Sequence, residues 1–161
     1  MSRLITKLGS FFLYPRFVKA WFVPVWLALG LARLAILTLT FRRIAPRLGS
    51  SVGVAPWVPV LDGREEKRAR LLGQVIRLAA RHTPWDSNCF PQAVVARMML
   101  AAYRVPYCLF FGVRRNAVTD AFDAHAWVAA GRVKVIGGWA FDKYTVVGVF
   151  VSPKLAKDRS E

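Results

Sequence analysis

The chain has few residues that bind metal or do redox chemistry: two cysteines and two histidines in 161 residues. Cys89 and Cys108 are too few for a disulfide framework. With only His82 and His125 beside them, zinc has no ligand cluster. No phosphate-binding loop and no dinucleotide fingerprint occurs, so no cofactor is expected, an absence that says nothing of an ATP requirement. A reducing cytosol fits this cysteine usage best. Acidic residues are scarce too: nine Asp and Glu stand against 24 Lys and Arg, for a net charge of +15. Residues 1–60 hold eight basic residues (Arg3, Lys7, Arg16, Lys19, Arg33, Arg42, Arg43, Arg47) and no acidic one, leaving +7 on the other 101. Such a surface suits an anionic peptide, nucleic acid or anionic lipid, and equally fits arginine on solvated faces.

A long uncharged apolar run is also missing. Ala20 to Ala32 is a run of 13 residues, broken by Arg33 and resumed from Leu34 to Phe41 before Arg42-Arg43. That is short of the roughly 20 residues a spanning helix needs, and Pro24 weakens a single unbroken span. A signal peptide would need a small-residue cleavage site after the apolar region, and Phe41-Arg42-Arg43 follows instead. Two readings remain: a helical segment packed on the rest of the chain, or a helix in the membrane interface with its basic flanks near anionic headgroups. The packed reading is favoured, because Arg33 sits mid-segment and the stretch is apolar all round. The expected division is an apolar, basic helical segment over 1–60 and a folded domain over 61–161.

Gly49 to Pro59 reads as a linker. Asp62 with Glu65 is a capping box for a helix from about 63 to 82, with one buried stripe at Leu72, Val75, Ile76 and Ala79. A second helix is expected from Cys89 to about Tyr103. Tyr107 to Val113 reads as a buried strand, Arg114 to Ala121 as a polar turn, and Ala124 to Ala129 with Arg132 to Ile136 as a hairpin about Ala130-Gly131. Tyr144 to Val151 supplies another strand, and the charged tail from Lys154 is expected to fray. Helices first, then a helix leading into antiparallel strands, is an α+β arrangement.

One constellation can do covalent chemistry. Cys89 opens an apolar helix after the N-cap types Ser87 and Asn88, with Pro91 in the first turn. A sulfur there faces unpaired backbone N–H groups at the positive end of the helix dipole, which favours negative charge on it. His125 follows 36 residues later in an alternating strand, where it shares a face with Trp127. The plainer alternative is a small buried cysteine and a satisfied histidine, and spacing alone favours it. Cys108, inside an apolar strand, is assigned to the core, and His82 to the carbonyls of a helix end.

Asn88-Cys89-Phe90-Pro91-Gln92, then Phe110-Phe111-Gly112-Val113-Arg114, Ala124-His125-Ala126-Trp127-Val128, and Val135-Ile136-Gly137-Gly138 with Tyr144-Thr145 together resemble one family. It is the transglutaminase-like leader peptidases of lasso-peptide biosynthesis, related to the microcin-processing protease. The likeness covers roughly residues 60–151. It extends more weakly to Ala32-Arg33-Leu34 and Phe41-Arg42-Arg43-Ile44-Ala45.

This resemblance implies a papain- or transglutaminase-like core, with the cysteine helix packed on a small antiparallel sheet. Cys89 becomes the nucleophile and His125 the general base and acid of a Cys-His-Asp triad. If Ala130-Gly131 is the turn, Ile136 pairs with His125 and Gly137 falls where the carboxylate is expected, a departure from the family. Asp142 is then the candidate third member. Asp123, a backbone carbonyl or a water are the alternatives. Trp85 and Trp127 are candidates to line the substrate groove, and Arg114 and Arg115 to face a partner or an acidic leader.

The implied reaction is removal of a leader from a ribosomally made precursor, with the Cys89 backbone N–H as one oxyanion donor. The implied partners are the leader peptide, a small protein that binds it by strand addition, and a cyclase that closes the lasso ring. Rival readings are a transglutaminase-like acyltransferase or amidase, and a non-catalytic basic protein that binds membrane or nucleic acid. The absence of a nucleic-acid-binding motif argues against the last of these.

Overall fold

A computed structural model describes residues 14–55, 57–116, 120–138 and 140–157. Helix α1 (Arg16–Thr38) is followed by a short turn of helix α2 (Phe41–Ile44), a 3-10 turn (Ala45–Arg47) and strand β1 (Ser50–Ser51). Then come α3 (Gly63–Ala80), α4 (Cys89–Ala102), β2 (Cys108–Arg115), β3 (Phe122–Ala130), β4 (Val133–Ile136), β5 (Thr145–Val151) and α5 (Pro153–Lys157). The strands form one antiparallel sheet in the order β1-β5-β2-β3-β4. The α+β expectation therefore holds.

Local sequence explains most of these elements. Asp62 accepts from the Glu65 N–H at 2.7 Å, and Glu65 accepts from the Asp62 N–H at 3.0 Å, so both halves of the capping box are made. Leu72, Val75, Ile76 and Ala79 are the buried stripe of α3. That helix comes close to the sheet at Gly73, where a Cβ would lie 2.5 Å from the Val135 carbonyl oxygen, and Arg77 donates to the same oxygen. His82 Nδ1 lies 2.8 Å from the Leu78 carbonyl at the end of α3.

The N-terminal segment departs from expectation in one respect. Helix α1 runs unbroken through Pro24 for 23 residues, long and apolar enough to cross a membrane. Pro24 removes one N–H from the helix ladder, but both it and Ala20 are exposed, so water can meet the freed carbonyl. The inner side of α1 (Val18, Val25, Leu29, Ala32) shares one apolar cluster with α3 and α4. Trp26 Nε1 donates to the His82 carbonyl at 3.0 Å, and Arg33 pairs with Asp86 at 3.3 Å.

Other details differ as well. The linker carries β1, which pairs with β5 through Ser50↔Val151. Strand β2 continues through Arg114 and Arg115, while 117–119 lie outside the described residues. The hairpin turns at Gly131-Arg132, one residue later than expected, because Ala130 stays in the ladder opposite Val133 and Gly131 takes the positive φ of +56°. Ile136 consequently pairs with Val128 rather than His125, and a bulge follows between Val128 and Ala129. The start of the charged tail is helix α5, and residues 158–161 lie outside the described ones.

The two faces of the sheet bury separate clusters. Leu109, Ala126, Val128 and Ala130 pack under the helices. Cys108, Phe110, Trp127, Ala129, Val149 and Val151 lie on the other face. Burial pushes the Cys108 thiol up from 9.0 to about 12. It also raises Tyr107, an effect partly offset by Arg97, which donates to the phenol at 3.1 Å. Groups held protonated in this way stabilise the fold fully below their unfolded values. As pH climbs past about 9, the unfolded chain releases a proton that the native state retains. Urea midpoints are thus expected to fall progressively toward pH 12, and Cys108→Ala should flatten part of that slope. A midpoint unchanged across this range would contradict the buried thiol.

Candidate active site

Cys89 is the first residue of α4. Its N-cap, Asn88, has extended backbone and makes no side-chain capping bond, so the N-cap side chain leaves the N–H groups of the first turn unclaimed. The preceding loop is braced instead by Gln92 Nε2 donating to the Ser87 carbonyl at 2.6 Å and by Thr83 Oγ1, 2.9 Å from Ser87 Oγ. The thiol is partly exposed and opens onto a groove of about 420 Å³, lined by Asn88, Cys89, Phe90, Phe111, Ala124 and His125 among others. Phe41 reaches across from α2, with ring centroids 6.2 Å from Phe90 and 5.6 Å from Phe111. The groove is therefore apolar on most sides and polar at the helix terminus.

His125 lies on β3 opposite Gly112 of β2. Alternation along β3 gives it the parity of Trp127. Its ring stacks on Trp127 with centroids 5.9 Å apart at 19°, and on Tyr144 at 5.1 Å and 29°. Nε2 lies 3.1 Å from the Gly137 carbonyl oxygen. A carbonyl only accepts, so Nε2 is the donor, and in the neutral tautomer this selects, the lone pair a base needs falls on Nδ1. Trp127 belongs to the cluster on the far face, whereas Cys89 packs against the cluster under the helices. By parity the imidazole thus lies on the face of β3 away from the one that Cys89 packs under, and among the described residues no hydrogen bond joins Cys89 to His125. Pairing between β3 and β4 starts only at Val128↔Ile136, which leaves His125 at an open strand edge.

The other candidates fall as follows. Asp142 is exposed in the turn before β5, and the group on the His125 Nε2 is the Gly137 carbonyl. Gly137 has no room for a side-chain carboxylate: its φ is +79°, and a Cβ would lie 2.6 Å from Trp127 Cβ. Asp123 is engaged by Arg114, through Nε at 3.2 Å and Nη2 at 3.1 Å. Arg115 pairs with Asp120. Trp127 is wholly buried, so it does not line the groove, and it supports the histidine from beneath. Trp85 is also placed elsewhere: its ring packs on Trp26 at 4.6 Å and against Gly30 of α1.

The sequence motifs include Phe41, Phe111 and Tyr144 but gave none of them a role in the site. Tyr144 backs the imidazole and holds Arg114 at 5.1 Å over its own ring. As the first residue of an expected strand it gave no sign that it would fold back onto His125; the strand starts one residue later, at Thr145. Gly112 offered a signal, since a glycine inside a strand marks close approach. A Cβ there would come within 2.8 Å of the Trp127 ring and 2.9 Å of Tyr144 Cβ.

Comparison with known proteins places this architecture. The family model described as Transglutaminase-like superfamily matches residues 35–149, which takes in α4, β3 and most of β5. Among curated proteins and among solved structures, nothing matches significantly. A cysteine opening a helix, packed on an antiparallel sheet that carries the histidine, agrees with that match, and the chain belongs to the transglutaminase-like superfamily, whose members are generally cysteine-protease-like enzymes.

Proposed function

We propose that the chain is a cysteine peptidase that removes the leader from a ribosomally made lasso-peptide precursor, with Cys89 as nucleophile and His125 as general base and acid. The observation that carries the reading is Cys89 at the uncapped start of α4, open to an apolar groove that the His125 strand also lines. Attack by sulfur on the scissile carbonyl forms a tetrahedral oxyanion, and the Cys89 backbone N–H is one donor toward it. Protonated His125 passes its proton to the leaving amine, which departs with the core peptide. The leader remains as a thioester until water, activated by the same imidazole, hydrolyses it.

Proton transfer requires Nδ1 within hydrogen-bond reach of Sγ. The imidazole must therefore leave the Gly137 carbonyl and turn round the open edge of β3 when substrate fills the groove. Phe41, Phe90 and Phe111 favour an apolar segment beside the scissile bond. In this reading a small leader-binding protein delivers the substrate, and a cyclase uses the freed amine.

A second reading has a specific observation behind it. The lack of a thiol–imidazole hydrogen bond among the described residues, with the two groups on different faces of β3, fits a family member that holds a peptide without cutting it. One experiment decides among the possibilities: the full chain is incubated with a lasso-type precursor peptide and with a leader-binding partner protein. Mass spectrometry reading two fragments whose masses total the precursor plus one water establishes the peptidase. Loss of ammonia with an isopeptide link makes it a transferase. An unaltered precursor overturns catalysis.

A further inference from the structure

We infer that the outer side of α1 and the arginine-rimmed groove beside it dock peripherally on an anionic phospholipid bilayer. This rests on surface chemistry remote from Cys89 and is independent of the reaction proposed above. Val23, Leu27, Leu31 and Leu34 lie three or four residues apart and so form one ridge along the helix. All are well exposed, Leu31 at 67% and Leu34 at 57%. A continuous apolar ridge of this length in water marks a surface that meets something else.

Charge says what that is. Arg16 and Lys19 stand at one end of the ridge, Arg42, Arg43 and Arg47 at the other, and residues 1–60 hold no acidic residue. Beside the ridge, and sharing Leu31 with it, a groove of about 390 Å³ is lined by Leu39, Met98, Arg43, Arg47 and Arg97 among others. None of these three arginines pairs with a carboxylate among the described residues. Arg47 donates to the Arg43 carbonyl, and Arg97 to the Tyr107 phenol. Apolar floor with unneutralised guanidiniums is the complement of a lipid: acyl chain below, phosphate above. The helix lies on the surface rather than crossing it. Its inner side is held by Val18, Val25, Leu29 and Ala32, and Arg33 is held by Asp86.

The test is co-sedimentation of the full chain with vesicles of phosphatidylcholine alone and of phosphatidylcholine with phosphatidylglycerol in a three-to-one ratio. Binding is expected to the anionic vesicles only and to fall steeply with salt. Arg43→Gln with Arg47→Gln should weaken it on the order of thirtyfold, from about 1 kcal/mol for each basic residue near the surface. Leu27→Ser with Leu31→Ser should weaken it about tenfold or more, since both side chains are exposed and their loss leaves the core intact. If the serine pair fails to fold by circular dichroism, the arginine pair decides. Equal binding to both vesicles overturns the proposal. So does a dimer by light scattering without vesicle binding, which would assign the ridge to a second copy. Resistance of the cellular protein to carbonate extraction would make α1 a true span and overturn it equally.

Discussion

Cys89→Ala is expected to abolish precursor cleavage, a loss on the order of a thousandfold or more, while leaving the thermal midpoint near that of the parent. The magnitude follows from the role: without the sulfur there is no thioester, and only groove binding and the helix N–H groups remain. The unchanged midpoint follows from position, since the thiol is partly exposed at a helix start and its removal opens no cavity. His125→Ala should be nearly as damaging, because the two act as a unit. Cys108→Ala should leave turnover intact, as that thiol lies wholly buried on the far face of the sheet. Single-turnover assays with each purified variant check all three. Cleavage by Cys89→Ala at even a tenth of the parental rate would remove the nucleophile assignment.

Trp127→Ala is expected to cost about 3–5 kcal/mol of stability, the usual range for emptying a buried aromatic site. Trp127 is the largest fully buried side chain among the described residues. The indole is wholly buried and stacks on Phe110 at 5.5 Å and 15°. It meets Phe141 edge-on at 5.3 Å and underlies His125. Gly112 and Gly137 give it room, since a Cβ on either would intrude within 3 Å. Its Nε1 is buried without a hydrogen-bond partner among the described residues, so Trp127→Phe removes an orphaned donor while keeping a ring in the stack. The phenylalanine variant should accordingly retain most of the stability the alanine variant loses. Urea unfolding of both settles the matter. An alanine variant within about 1 kcal/mol of the parent would show that the stack does not brace the imidazole.

Much of the fold was legible because local chemistry decided it. Asp62 and Glu65 announce the start of α3, and the run from Cys108 onward could only be a strand or a core helix too short to stand. What resisted reading was arrangement in depth. Period-2 alternation places His125 with Trp127 but does not say which face α4 covers, and both faces of β3 are apolar from Ala126 onward. The hairpin slipped by one residue because Ala130 and Gly131 both suit a turn, and only Gly131 takes the left-handed φ. Pro24 read as weakening an unbroken span, yet it faces solvent, where a missing hydrogen bond costs least.

A main-chain oxygen on the histidine has an odd implication for mutational scanning. Before the ring swings toward Cys89, replacing every acidic or amide side chain in turn would leave its Nε2 contact in place, because the accepting atom belongs to the peptide linkage following Gly137. Acid cannot neutralise it, and evolution can tune it only by rerouting the loop.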